Sequence, residues 1–211
     1  MPYALLVWDF DGTLADTLPN LLEIFNQIGP QFGFRPITDP QSLRDQTPTE
    51  FLQQQKIPLW KLPALRQIVV ARQREAMPQI RLYPGIPDVL TDLARRGCRL
   101  GIVSSNTEEN IRVCLRANAA ESWFEFIVGY PRLLGKKHVL RRMPRRTGLA
   151  PEQLLYVGDE VRDIAAARDA RTDVAAVTWG VNSASLLQRH EPTFLIDHPR
   201  QLLDLPLGPE R

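Results

Sequence analysis

The sequence predicts an α/β fold, with one parallel sheet and an all-helical insert placed directly after the first strand. Three observations carry that expectation. From residue 83 onward, short unbroken apolar runs alternate with amphipathic helical patterns, the rhythm that builds parallel sheets. A similar run opens the chain at Ala4-Leu5-Leu6-Val7-Trp8, as a strand covered on both faces should. Between the two, residues 16 to about 82 have helical periodicity broken by prolines and no convincing strand.

Taken in order, the first strand is Ala4 to Trp8. Leu18, Leu21, Leu22, Phe25, Ile28 and Phe32 then form one helical stripe, and Leu62, Leu65, Ile68 and Val69 a second. Pro36, Pro40, Pro48 and Pro58 punctuate the shorter segments between them, and Tyr83-Pro84-Gly85 marks the return to the sheet. Ile86, Val89, Leu90 and Leu93 share a helical face, with Gly97 where a C-terminal cap belongs. Further strands are expected at Arg99 to Val103, Phe124 to Val128, Leu154 to Val157 and Val174 to Val177, with a weaker one at Thr193 to Ile196. Ser105-Asn106-Thr107-Glu108 has the capping-box pattern ahead of Ile111, Cys114 and Leu115. The expected division is therefore a core of residues 1–15 and 83–211 with a helical insert of 16–82.

At 211 residues with 44% apolar content, the chain can bury a sizeable core. A formal net charge of +2 gives no electrostatic case for nucleic-acid or membrane-surface binding. No apolar stretch approaches the roughly 20 residues that span a bilayer. The opening run lacks a basic lead and breaks on Asp9, so it does not read as a secretory signal. Cys98 and Cys114 suggest neither a metal motif nor a disulfide framework. A cytoplasmic protein is expected.

The strongest chemical signal is Asp9-Phe10-Asp11-Gly12-Thr13, immediately behind the first strand. Ligands of open α/β sheets bind at the carboxyl ends of strands. Two carboxylates so placed can hold a divalent cation and divide the work of nucleophile and acid/base. The plainer reading is a polar Asp-Gly turn. Behind the second strand, the Ser104 hydroxyl and nearby amides can hold a phosphate oxygen at a helix N-terminus, though serine also caps helices routinely. Behind the third, Gly135-Lys136-Lys137 offers a cation for a transferring phosphoryl group, with either lysine eligible. Behind the fourth, Gly158-Asp159-Glu160-Val161-Arg162-Asp163 supplies acids that can complete an oxygen-rich magnesium site. Arg44, in the insert, is a candidate to meet an anionic substrate, against the simpler reading of a solvated arginine. Arg141, Arg142, Arg145 and Arg146 read as a basic helix end, and Trp8 reads as core.

In this order of acid pair, hydroxyl, lysine and acid cluster, the chain resembles the haloacid dehalogenase superfamily, in its phosphoglycolate-phosphatase-like branch. The resemblance spans essentially the whole chain. It rests on Asp9-Phe10-Asp11-Gly12-Thr13, on Ser104 within Val103-Ser104-Ser105-Asn106, on Lys136, on Val157-Gly158-Asp159 with Asp163, and on Val177-Thr178-Trp179-Gly180. It implies a Rossmann-like sheet with a helical cap after the first strand. It further implies a Mg2+-dependent phosphatase in which Asp9 attacks phosphorus and Asp11 exchanges the proton with the leaving group and then with water. Asp9, the backbone carbonyl of Asp11 and Asp159 would hold the metal. Asp9, Gly12, Ser104, Ser105 and Lys136 would meet the phosphoryl group, with Thr13 and Asp163 in support, Asp163 positioning Lys136 or a water. The implied substrate is a small phosphorylated metabolite.

Two positions depart from the pattern: Glu160 stands where many relatives have Ser, and Arg171 where a Gly is common. Lys136 is preferred over Lys137 by local alignment. A dehalogenase is disfavoured by Asp11, and a phosphonate hydrolase by the settings of Lys56 and Lys61 in the insert. A sugar-phosphate mutase shares core and cap, and a catalytically silent binding protein on the same fold is the reading from another class.

Overall fold

Six parallel strands form one sheet in the order β3-β2-β1-β4-β5-β6. They are β1 (Leu5–Trp8), β2 (Arg99–Ser104), β3 (Phe126–Gly129), β4 (Leu154–Gly158), β5 (Asp173–Val177) and β6 (Phe194–Ile196). The structure is a computed structural model that describes residues 2–130 and 135–208. Residue 1 and residues 209–211, at the two ends of the expected core, lie outside the described residues. All six expected strands form, with ends shifted by one or two residues. Phe124 instead follows a 3-10 turn at Glu121–Trp123.

Strand β1 is central, pairing with β2 through Leu5 and Arg99 and with β4 through Leu5 and Leu154. Its four residues are all buried, because helices cover both faces of the sheet. On one face lie α4 (Ile86–Arg95) and α5 (Glu108–Ala117), on the other α6 (Lys136–Thr147) and α7 (Val161–Ala170). Ile86, Val89, Leu90 and Leu93 of α4 are fully buried, as their spacing requires. Gly97 follows α4 in the left-handed region, at φ 76°. The capping box expected at Ser105–Glu108 does not form. Thr107 is the N-cap of α5, its hydroxyl accepting from the Asn110 N–H at 3.2 Å. Ser105 and Asn106 are thereby released from capping and face the strand ends.

The segment after β1 holds α1 (Leu18–Phe32), α2 (Pro48–Gln54) and α3 (Leu62–Ala76). They pack around a cluster of their own: Ile24, Ile28, Phe34, Ile57, Leu65 and Val69. The expected stripe on α1 is offset. Ile24 and Ile28 are its buried members, while Leu18, Leu21 and Phe25 are half-buried. Chain entry and exit are tied together: the Asp16 N–H donates to the Arg81 carbonyl and the Tyr83 N–H to the Leu14 carbonyl, both at 2.9 Å. Farther out, the Arg44 guanidinium donates to the Thr178 carbonyl at 2.6 Å, and the Arg44 carbonyl accepts from the Ser183 N–H at 2.8 Å. Arg44 thus neither meets the site nor stands free in solvent. It fastens the helical segment to the loop behind β5.

Arg171 ends α7 in the left-handed region at φ 58° and ψ 36°. A side chain there brings Cβ against the carbonyl oxygen, at a cost of roughly 1–2 kcal/mol that glycine avoids. Arg171→Gly is expected to stabilise the fold by about 1 kcal/mol, the gain being offset in part by the freer unfolded chain. The measurement is the urea midpoint, which should rise with an unchanged slope; an unchanged or lower midpoint would contradict this account of the turn.

Candidate active site

The strand order reverses between β1 and β4, and the two loops that leave those strands carry the acids. Asp9 follows β1 and Asp159 follows β4, so both emerge at the crevice where open α/β sheets bind ligands. Asp163 joins them from the first turn of α7. One oxygen from each of Asp9, Asp159 and Asp163 lies within 4.8 Å of the others, and all three residues are buried.

Each carboxylate is held by named donors. Asp9 accepts from the Phe10 N–H at 2.7 Å through Oδ1 and from Lys136 Nζ at 2.5 Å through Oδ2. Asp159 accepts from the Thr13 hydroxyl at 2.6 Å and from the Val181 N–H at 2.7 Å. Asp163 accepts from Lys136 and, at 3.1 Å, from the Glu160 N–H. Lys136 is the buried first residue of α6, and Lys137 beside it is half-exposed, so Lys136 is the lysine brought to the acids. Burial opposes its charge, but Asp163 and Asp9 overcome that and hold the ammonium well above its ordinary value. Its Nζ also sits 5.1 Å from the centroid of the Tyr156 ring.

Glu160 is buried as well, but it pairs with Arg162 rather than turning toward the other acids. Four buried carboxyl groups, Asp9, Asp159, Glu160 and Asp163, stand here against two cations, Lys136 and Arg162. Burial, then the charges of Glu160, Asp163 and Asp9, hold the Asp159 carboxyl well above the usual carboxylate range. A divalent cation fits this surplus of hard oxygen donors, and Asp9, Asp159 and Asp163 are the residues able to hold it.

Asp11 has a different environment two residues away. Asn106 Nδ2 donates to both its oxygens, at 3.1 and 3.0 Å, and Gln73 Nε2 from α3 reaches it at 3.4 Å. Burial first, then the Asp9 charge, push its carboxyl up to about 6 against those hydrogen bonds. Ser104 ends β2 with its hydroxyl buried, accepting from the Asn106 N–H at 3.3 Å. Ser105 stands at the wall of the cavity above Asp11.

Glycine permits the crowding. Gly12 takes φ 76°, and a Cβ on it would lie 2.3 Å from Asp159 Oδ2. A Cβ on Gly180, in the loop behind β5, would meet Asp159 Oδ2 at 2.3 Å and the Gly12 carbonyl at 2.4 Å. All the sequence-predicted residues, Asp9, Asp11, Gly12, Thr13, Ser104, Ser105, Lys136, Asp159 and Asp163, thus stand at one edge of the sheet. Sequence reasoning missed Asn106 and Gln73, and named Gly180 without a role. Gln73 carried a signal: a glutamine one helical turn beyond Val69, continuing the apolar stripe of α3.

The haloacid dehalogenase-like hydrolase model matches residues 6–177, and the chain belongs to that family. A phosphoglycolate phosphatase of Synechococcus elongatus is 35% identical, over 94% of each chain. An N-acetylmuramic acid 6-phosphate phosphatase of Pseudomonas aeruginosa is 29% identical, over 95% of this chain and 93% of its own. A haloacid dehalogenase-like family hydrolase from Streptococcus pneumoniae superposes with a TM-score of 0.80 at 22% identity, over 96% of this chain and 97% of its own, a likeness of fold. Within the family, the chain is a phosphoric monoester hydrolase. None of the helices of the described residues is long and apolar enough to cross a membrane.

Gly180→Ala tests the packing of the acids. The added methyl must displace Asp159 or the Gly12 carbonyl, and overpacking of this kind costs roughly 1–3 kcal/mol. A lowered melting temperature is expected, together with weaker divalent-ion binding by calorimetry. Wild-type values for both would mean that the loop yields without strain.

Proposed function

We propose that the chain is a Mg2+-dependent phosphatase that hydrolyses a small phosphorylated metabolite, a phosphoglycolate-like phosphomonoester, through a phosphoaspartate on Asp9. One observation carries the reading. Two carboxylates separated by a single residue have opposite environments: Asp9 lies against Lys136 among the acids, and Asp11 is held by amide donors and pushed up to about 6. Carboxylates in surroundings this unlike can divide the work of nucleophile and proton donor.

In this reading Asp9 attacks phosphorus, and the bond from phosphorus to the ester oxygen breaks as Asp11 gives that oxygen its proton. Asp11 then takes a proton from the water that opens the phosphoaspartate, and phosphate leaves. Lys136 and Ser104 hold the phosphoryl oxygens, with the amides near Gly12 and Ser105, while Asp163 keeps Lys136 in place and Thr13 keeps Asp159 in place. Asp9, Asp159 and the backbone of Asp11 would hold Mg2+, with Asp163 near enough to join. When bound, the ion supplies charge neutralisation for the phosphoryl oxygens.

Residues 1–15 and 83–211 act as the core and residues 16–82 as a cap that closes over the strand ends and excludes water. The Gln73 contact to Asp11 supports this, because it brings a helix of the insert to the proton donor itself. The work is cytoplasmic, on free metabolites rather than nucleic acid or membranes, in keeping with a near-neutral net charge of +2 and two cysteines left unpaired.

Asp9→Asn is expected to lower phosphate release by several orders of magnitude with an unchanged circular dichroism spectrum, since the amide is nearly isosteric but a poor nucleophile. Chelation should abolish release from p-nitrophenyl phosphate and Mg2+ should restore it. Near-normal turnover by Asp9→Asn removes Asp9 from its role. For Asp11→Asn, the rate loss should be larger with an alkyl phosphate than with an aryl phosphate, because the poorer leaving group needs the proton more. Equal losses on the two esters would count against Asp11 as the donor.

A further inference from the structure

A cavity of about 280 Å3 opens directly above Asp11, between the helical segment and the strand ends. Its floor is polar, formed by Asp11, Asn106 and Ser105. Its walls are not. Leu18, Leu21 and Phe25 of α1 face Leu62, Leu65 and Val69 of α3 across it. Three of these six, Leu18, Leu21 and Phe25, are half-buried members of the α1 stripe; Leu21 and Phe25 pack in part against the insert's own cluster, and all three also line this cavity.

The same wall carries Arg66. Its guanidinium donates to the Ser105 carbonyl at 3.4 Å, and among the described residues no carboxylate lies within ion-pairing distance of it. The other cation of the cavity, Arg162, is already paired with Glu160. Arg66 is therefore the cation of the cavity with its charge unmatched.

Asp11 fixes what occupies this space. If it protonates the departing oxygen, the phosphoryl group lies toward Asp9 and Lys136, and the leaving group extends past Asp11 into the cavity. A polyhydroxylated leaving group would surrender much of its water there to largely aliphatic and aromatic walls, which return few hydrogen bonds. A hydrocarbon skeleton gains from the same walls. An arginine without an acid, beside such a skeleton, is suited to the planar, two-oxygen contact with a carboxylate. Resting on the phosphatase reading, we infer that the preferred substrate is the phosphomonoester of a hydroxy acid with a hydrophobic carbon skeleton, its carbon chain against the α1 and α3 walls and its carboxylate on Arg66.

The test is a kcat/KM series with the full chain and Mg2+: methyl phosphate, n-hexyl phosphate and 6-(phosphonooxy)hexanoate, with p-nitrophenyl phosphate as reference. Hexyl phosphate should exceed methyl phosphate on the order of 100-fold, from burial of the added methylenes. The carboxylated ester should exceed hexyl phosphate by on the order of 10-fold, the strength of a charge-assisted hydrogen bond. Arg66→Met should erase the second preference, and Arg66→Lys should keep part of it. A series flat in chain length, while p-nitrophenyl phosphate is hydrolysed, overturns the inference and leaves the phosphatase reading standing. So does a carboxylate preference that survives in Arg66→Met, or a loss in that variant equal for hexyl phosphate and the carboxylated ester. Failure to release phosphate from any of the four esters overturns the phosphatase reading and the inference with it.

Discussion

Asp9, Asp159, Glu160 and Asp163 are buried within a few residues of two neighbouring strand ends, and the rest of the site is arranged around keeping them there. Like charges removed from water together are costly, and each must find donors or cations nearby. Lys136 answers two of them at once, which fixes where α6 must begin. Arg162 answers Glu160, while Thr13 and the Val181 amide answer Asp159. The donors come from the loops behind β1, β4 and β5 and from the start of α6, so the acids assemble only where those elements come together. Catalytic geometry and fold are in this sense one constraint. The glycines extend it: Gly12 and Gly180 approach Asp159 so closely that no side chain fits between them, and two separate loops are packed against one carboxylate.

The helical segment obeys a different rule. Its own cluster around Ile24, Ile28, Leu65 and Val69 packs α1 against α3, yet both helices also turn apolar side chains to the cavity at the strand ends. Arg44 and the paired backbone at residues 14–16 and 81–83 fasten the segment at two places on the core. Between those attachments lies the cavity. Along α3 the Arg66 contact to the Ser105 carbonyl and the Gln73 contact to the Asp11 carboxylate add further ties. Movement of α3 relative to the sheet would change the number of donors on Asp11, and with it the ease of releasing its proton.

Much of this was legible in the sequence because the information is local. Six apolar runs announce six strands, since a strand covered on both faces has little choice of composition. Asp9, Asp159, Lys136 and Ser104 could be named because each stands directly behind such a run or opens the helix that follows it. What was not legible depends on distance. Asn106 looked like part of a cap, and only the tertiary position of Asp11 turns its amide into a clamp. Arg44 looked like any arginine of a polar segment, and its partner lies 134 residues away. The α1 stripe was read correctly as helical, but which of its members close the core and which line a cavity depends on where α3 lies. Arg171 shows the opposite case: its departure from glycine is visible in sequence, and the structure absorbs it by placing a long side chain in the left-handed region at φ 58°.

The two acids of the first loop show how a small sequence interval yields two environments. Asp9 and Asp11 leave the same strand end, and the single residue between them sends them in different directions: Phe10 is buried in the core, its N–H bonded to Asp9 and its carbonyl accepting from Leu14 and Ala15. That anchored residue turns Asp9 toward β4 and α6, where an ammonium and the neighbouring acids wait, and Asp11 toward β2 and α3, where amides donate. Burial and the neighbouring Asp9 charge oppose the charged form of the Asp11 carboxyl, while the amides of Asn106 and Gln73 favour it. The difference between the two therefore does not reside in the aspartates, which are chemically identical. It resides in their partners, Lys136 at the start of α6 and Asn106 just ahead of α5, two helices on opposite faces of the sheet.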